Sequence, residues 1–289
     1  MDKKLWMAMA LAAGAAGGLA RSKYERGCLT VEEAHIWSQK VRKPRTLVFL
    51  TDLHDKEFGE GNVRLLEEVR RVRPDMALIG GDTMVAKEGR ARLEVTGRLL
   101  AGLTGICPVY YGNGNHEQRL QRKKEVYGSL YEDFRRLLRR YGAVYLSDSF
   151  ADVDKDIRIS GLNIENSFYF DLFPAKMKPE YVQMHLGQAS QGRFQILLAH
   201  SPLFLDAYAG WGADLALAGH FHGGTVRIPG LGGVMTPQYQ FFVPYCAGTF
   251  EKEGCHMIVG RGLGTHSINI RFCNKPQLVV VKLWPQQGR

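Results

Sequence analysis

Short unbroken apolar runs alternate, from about residue 45 onward, with segments whose apolar residues recur every three or four positions. "RTLVFLTD" (45–52) is the first such run and reads as a buried strand, bounded by Pro44 and polar residues. "GNVRLLEEVRRVRP" follows with Val63, Leu65, Leu66, Val69 and Val72 at helical spacing, stopped by Pro74. The succession then repeats. "DMALIGGD" (75–82) predicts a second strand, "RARLEVTGRLLAGL" a helix, "CPVYYGNGNHE" (107–117) a strand running into a Gly/Asn loop, and "SLYEDFRRLLRRYG" (129–142) an amphipathic helix ended by glycine. "AVYLSD" and "IRISGLNI" are short β segments. A connection rich in Phe, Tyr and Pro (167–183) leads to "FQILLAHSP" (194–202) and "ADLALAGHFH" (213–222). The C-terminal part is mostly β, as "TVRI", "CHMIVGRG", "INIRF" and "QLVVVKL". The β-α-β-α-β order predicts an α/β fold with an at least partly parallel sheet, and the later strands predict a second sheet packed on the first.

Composition adds little to that picture until the N-terminus. The 289 residues are 45% hydrophobic and 23% charged, as in a folded domain with a large core. Five scattered cysteines, Cys28, Cys107, Cys246, Cys255 and Cys273, contain no C-x-x-C pair and indicate neither a disulfide framework nor a structural zinc site. A formal charge of +9 favours polyanionic surroundings without choosing among them. Its densest runs, "QRLQRKKE" (118–125) and "RRLLRR" (135–140), read as solvated helix faces, and no nucleic-acid recognition module is evident, so no specific nucleic acid is expected. Residues 1–27 differ: Lys3 and Lys4 precede an uncharged stretch from Leu5 to Ala20 that is followed by Arg21 and Lys23. The stretch is shorter than the about 20 apolar residues of a transmembrane helix. It reads as an apolar anchor or signal segment, with 28–44 a connector and 45–285 the catalytic domain.

Each apolar strand ends in a side chain that can hold a metal. The ends are Asp52-Leu53-His54, Gly81-Asp82, Asn115-His116-Glu117, Ala199-His200 and His220-Phe221-His222. Open α/β sheets bind ligands at the carboxyl ends of their strands. In extended chain, residues i and i+2 project from one face, so Asp52 and His54 are expected to aim at one ion, and His220 and His222 at one site or two adjacent ones. Singly, each element is a turn, a cap or a hydrogen-bonded loop histidine; five together at strand ends are not explained that way.

The ordered set "DLH", "GGD", "GNHE", "AHSP" and "GHFH" resembles the calcineurin-like metallophosphoesterase superfamily, over about residues 45 to 284, with the first forty residues outside. "GHFHGGTVRIPG" and the downstream "GRGLGT" are similar to its bacterial membrane-associated or exported branch, which includes enzymes cleaving the pyrophosphate of a UDP-linked diacylglucosamine. The resemblance implies a four-layer α/β/β/α sandwich with two mixed sheets and two divalent ions about 3.5–4 Å apart that supply hydroxide at neutral pH. It assigns Asp52, His54 and His222 to one ion, Asn115, His200 and His220 to the other, and Asp82 to the bridge between them. The mixed N/O set suits Mn, Fe or Zn. His116 is expected to bond the phosphate or protonate the leaving group. Glu117 either supports that imidazole or only opens the following helix.

The expected activity is therefore hydrolysis of a phosphodiester or pyrophosphate, on a lipid-linked or cell-envelope molecule, by a monomer attached to the membrane through its N-terminal segment. The catalytic domain is expected on the extracytoplasmic side, with the cytoplasmic face as the alternative. Two rival functions are hydrolysis of soluble, including cyclic, nucleotides and a catalytically inactive cell-wall binder. Arg261 and His266, in "GRGLGTHS", are further candidates to approach substrate, whereas His35, His185 and His256 read as structural or exposed. The apolar side chains of 166–187 either pack under the connection or face lipid.

Overall fold

The computed structural model describes residues 3–170, 176–228, 230–236, 241–265 and 269–286. A helix α1 (Lys3–Gly27) precedes strands β1 (Thr30–Ser38) and β2 (Arg45–Leu50). Then come α2 (Val63–Val72), β3 (Met76–Ile79), α3 (Glu94–Thr104), β4 (Val109–Gly112), α4 (Asn115–Arg122), α5 (Lys124–Tyr127), α6 (Leu130–Arg140) and β5 (Val144–Leu146). The second half holds β6 (Ser149–Val153), β7 (Ile157–Leu162), α7 (Ser167–Phe170), α8 (Pro179–Leu186), β8 (Phe194–Ala199), α9 (Leu205–Trp211) and β9 (Leu215–Ala218). It ends with β10 (Val226–Ile228), β11 (Gly232–Met235), β12 (Gly248–Lys252), β13 (Cys255–Val259) and β14 (Gln277–Pro285).

Two six-stranded sheets form, in the orders β1-β14-β2-β3-β4-β5 and β12-β13-β9-β8-β7-β6, with β10 and β11 as a separate pair. In the first, β2, β3, β4 and β5 run parallel, while β14 is antiparallel to β2. In the second, β7, β8, β9 and β13 run parallel between two antiparallel edge strands. Both sheets are mixed, as expected.

Period-two alternation places these strands between two apolar layers, which is why their sequences are unbroken apolar runs. Leu47 and Phe49 of β2 and Met76 and Leu78 of β3 meet Phe194, Ile196, Leu198, Leu215 and Leu217 of the second sheet in a central core. Val48, Leu50, Ala77 and Ile79, on the opposite faces, pack under α2, α3 and α6 through Leu65, Leu99 and Phe134. Leu197, Ala199, Ala216 and Ala218 pack under α8 and α9. The result is the α/β/β/α sandwich. Full burial of each large aliphatic side chain contributes about 1.5–3 kcal/mol.

Three segments differ from expectation. The connector of 28–44 contains β1, which pairs in parallel with β14 along its whole length. Its side chains are mostly exposed, so no apolar run marks it. "CPVYYGNGNHE" is extended only to Gly112, and Asn115 is already the first residue of α4. "INIRF" forms no strand among its described residues; Phe272 makes one isolated bridge with Val226.

The N-terminal segment is the single helix α1. No helix among the described residues is long and apolar enough to cross a membrane. Its last turns are held by the folded body, where the Ser22 hydroxyl accepts from Arg271 N and Glu25 Oε2 accepts from Asn274 N.

Candidate metal centre

The carboxyl ends of β2, β3, β4, β8 and β9 meet along one edge of the two sheets. There the structure brings together all nine residues singled out by the sequence: Asp52, His54, Asp82, Asn115, His116, Glu117, His200, His220 and His222, every one buried. The local geometry is not the extended one expected. Asp52 (φ 53°), His54 (φ 46°), Asp82 (φ 54°), His220 (φ 69°) and His222 (φ 52°) are all left-handed. Such conformations disfavour L-residues and persist where surrounding structure over-determines them. Here hydrogen bonds between loops do so: Asp52 N donates to Gly81 O and His54 N to Asp82 O, at 3.0 and 3.1 Å. Convergence therefore comes from turning the backbone at each of these residues, not from alternation along a strand.

Ligand atoms of Asp52, His54 and His222 lie within 4.8 Å of one another, and so do those of Asp52, Asp82 and His200. The His54 and His222 Nε2 atoms approach to 3.1 Å, and His222 Nε2 lies 3.4 Å from Asp52 Oδ1. Asp82 Oδ2 sits between the two groups, 3.2 Å from His200 Nε2 and 3.9 Å from His54 Nε2. On the far side His220 Nδ1 is 3.1 Å from Asn115 Oδ1.

Second contacts decide which nitrogen each imidazole presents. His200 Nδ1 is 2.8 Å from the Gly80 carbonyl and His222 Nδ1 is 3.0 Å from the Gly264 carbonyl. A carbonyl only accepts, so each Nδ1 carries a proton, and Nε2 is the nitrogen turned to the centre and able to ligate once it is deprotonated. His116 is the reverse: its Nδ1 accepts from Ala86 N at 2.8 Å, so the proton of the neutral ring is on Nε2, 3.9 Å from Asp82 Oδ2.

Burial favours the neutral forms throughout this cluster, and the close charges oppose it. His222, His200 and His54 outweigh burial at Asp52 and hold its carboxyl far below the usual range. His200, His116 and His54 do the same at Asp82. In return, burial would lower His200, but Asp82 and Asp52 lift it to about 10.

Residues 45–224, more than half of the chain, match the family described as calcineurin-like phosphoesterase. The chain belongs to that family. It is 28% identical over 243 residues to the uncharacterized metallophosphoesterase YkuE of Bacillus subtilis, a match covering 82% of this chain and 78% of YkuE. It is 24% identical over 249 residues to the phosphodiesterase YaeI of Escherichia coli, covering 83% and 82% of the two chains. The uncharacterized protein YpbG of Bacillus subtilis is 24% identical over 249 residues, with 84% and 83% covered.

A calcineurin-like phosphoesterase is a metal-dependent enzyme using two divalent ions. The residues present fit such a pair. His200 Nε2 is buried without a hydrogen-bond partner, although Asp82 Oδ2 is near, and two carboxylates kept ionised face the Nε2 atoms of His200 and His222. Anionic oxygens with neutral imidazoles form a donor set for Mn, Fe or Zn.

Of the two places open to Glu117, beside the His116 ring or in the first turn of the following helix, the residue occupies the second. Its carboxylate accepts from Asp82 N, Thr83 N, Gly114 N and the Tyr111 hydroxyl, at 2.7 to 3.0 Å. It thereby locks the β3 loop to the start of α4, and the backbone N–H of Ala86 orients His116 instead. Glu117 also caps α4, as the structural alternative held. Sequence reading missed Tyr111, whose burial in an apolar run hides a hydroxyl bonded to both Thr83 and Glu117.

Arg261 pairs with Glu32 of β1, and His266 lies outside the described residues. His35 stacks between Trp37 and Trp284, His185 approaches Asp148, and His256 approaches Glu251. Tyr169, Met177, Val182 and Leu186 pack on the second sheet, and Met184 is exposed. Positions 171–175 of that connection lie outside the described residues.

Proposed function

We propose that the chain hydrolyses a phosphodiester or pyrophosphate bond on a lipid-linked or cell-envelope molecule. Asp52, His54 and His222 hold one ion in this reading, Asn115, His200 and His220 the second, and Asp82 both. When bound, the ions polarise the phosphoryl group and supply hydroxide near neutral pH. The chain's own contribution is placement and protonation. Glu117 fixes the loop that aims Asp82, and His116 offers its Nε2 proton to the oxygen that departs. The observation carrying this reading is the opposite Nδ1 partners of His200 and His116: a carbonyl fixes a proton on the first, leaving its Nε2 as the nitrogen a cation can take, whereas a backbone N–H occupies the lone pair of the second and leaves its Nε2 a proton donor.

Support for a lipid-linked substrate is the exposed apolar surface of α1. Leu5, Trp6, Met7, Met9, Leu11 and Leu19 are solvent-facing, and Lys3, Lys4, Arg21 and Lys23 are exposed near the two ends. Cationic side chains beside exposed apolar ones favour contact with a membrane surface carrying anionic lipid. We place the catalytic domain on the extracytoplasmic side, which protease accessibility of intact cells tests. The substrate test compares Mn-loaded protein on a lipid-linked sugar pyrophosphate in mixed micelles, on bis(4-nitrophenyl) phosphate and on cyclic nucleotides. Higher kcat/KM on the lipid pyrophosphate is expected. Preference for cyclic nucleotides without detergent would replace this reading by the soluble one, and inertness on all three would remove it.

A further inference from the structure

Beside the metal centre lies a cavity of about 250 Å³ with His54 on its shared wall. That is below the roughly 300–1,000 Å³ of pockets that enclose a drug-sized molecule, so it admits a group and not a whole substrate. Its lining includes three cationic side chains from distant parts of the sequence: Arg26 at the end of α1, Lys56 after β2, and Arg271. None of the three makes an ion pair among the described residues. Asp55 also lines the cavity, and its Oδ2 accepts from Val85 N.

The arrangement is built and not incidental. Arg271 is 1% exposed, and its Nη2 donates to the carbonyls of Arg261, Gly262 and Gly264 while Nη1 donates to that of Asn274. Gly264 O also faces His222 Nδ1, so one carbonyl ties the cavity wall to the metal centre. The contacts of Ser22 and Glu25 anchor the segment that brings Arg26 to the cavity lining. Two guanidinium donors, Arg26 Nε and Arg271 Nε, are buried with no acceptor. Burying such donors unpaired costs free energy that an anion within their reach would recover.

We infer that this cavity is a second anion subsite, holding a further phosphate or comparable anionic group of the substrate while the scissile phosphoryl lies at the metal centre. The inference rests on the phosphoesterase reading and sharpens it, because it selects substrates with two adjacent anionic groups over simple diesters. It also gives the N-terminal helix a direct part in recognition, through Arg26.

The test uses the full chain with Arg26→Gln and Arg26→Lys, since Arg26 is half-buried and replaceable without a core defect. Hydrolysis of bis(4-nitrophenyl) phosphate, with one anion, is compared with that of P1,P2-bis(4-nitrophenyl) diphosphate, with two. Arg26→Gln is expected to lower kcat/KM about tenfold more on the second substrate than on the first, the effect of one lost charge-assisted hydrogen bond, with partial recovery in Arg26→Lys. Independently of turnover, metal-free protein is titrated calorimetrically with inorganic phosphate, whose Kd is expected to rise about tenfold in Arg26→Gln. Equal losses on both substrates, or phosphate binding indifferent to Arg26, overturn the subsite. Wild-type protein that binds phosphate through Arg26 yet hydrolyses neither substrate keeps the subsite and overturns the phosphoesterase reading instead.

Discussion

His116 and His200 are both buried imidazoles within 4 Å of Asp82 Oδ2, and one backbone contact each separates them. Removing His116 takes away a proton and no lone pair, so His116→Ala is expected to retain both ions and lose about 10²–10⁴ in kcat. Asp82→Ala removes the carboxylate that faces both groups and is expected to lose metal as well as turnover. Metal analysis alongside kcat on bis(4-nitrophenyl) phosphate separates the two, and a fully active Asp82→Ala protein would contradict the bridging role. The pH dependence follows from His200. Its folded pKa is raised to about 10 by Asp82 and Asp52 against burial, so below that pH the metal-free ring holds a proton that a cation must displace. Apparent metal affinity is therefore expected to climb about tenfold per pH unit across the neutral range, and calorimetry in buffers of different ionisation enthalpy should detect a released proton. Affinity flat with pH would show that the His200 ring holds no such proton before a cation binds. These residue types were readable from the sequence because metal chemistry restricts them to few kinds at strand ends. Which nitrogen points inward was not, because carbonyls of Gly80 and Gly264, far along the chain, decide it.

At the scale of elements, the strands were legible wherever both faces are buried, since burial demands continuous apolar sequence. β1 was not: it is a polar edge strand whose partner, β14, lies some 250 residues away, and nothing local records that pairing. The loops were legible in composition but not in geometry. Alternation of side chains predicts convergence at i and i+2, whereas the chain achieves it through left-handed residues pinned by neighbouring loops. Glycine enters this mechanism through close approach. A Cβ on Gly114, whose φ is an ordinary −99°, would stand 2.7 Å from Asp82 N and overlap the Asp82 carboxylate. Gly114→Ala is accordingly expected to cost about 1–3 kcal/mol in stability and to weaken metal binding at the same time. Gly14→Ala, in open space on α1, is expected to leave metal content unchanged and to favour its helix by about 0.5–1 kcal/mol. Thermal unfolding and metal titration of the pair read both quantities. Equal behaviour of the two variants would show that the loop accommodates a methyl and that the close approach does not position Asp82.

Seen as a whole, α1 has two parts with different physical attachments, and truncation should separate them. Among the described residues, Leu5, Trp6, Met7, Met9, Leu11 and Leu19 project apolar side chains into solvent, and the sandwich does not depend on them for burial. Ser22 and Glu25, by contrast, accept hydrogen bonds from buried backbone N–H groups of Arg271 and Asn274. A chain lacking residues 1–20 is thus expected to keep its melting temperature, metal content and turnover on bis(4-nitrophenyl) phosphate, while losing sedimentation with anionic lipid vesicles. Extending the deletion through Gly27 strands both donors, each at a cost of about 1–3 kcal/mol, and should lower the melting temperature visibly. It also removes Arg26 from the cavity beside His54, so the longer deletion should discriminate against the two-anion substrate where the shorter one does not. Vesicle binding that survives the shorter deletion would move membrane attachment from α1 to the folded body. If both deletions melt together, the contacts of Ser22 and Glu25 carry no stability, and α1 is an appendage along its whole length.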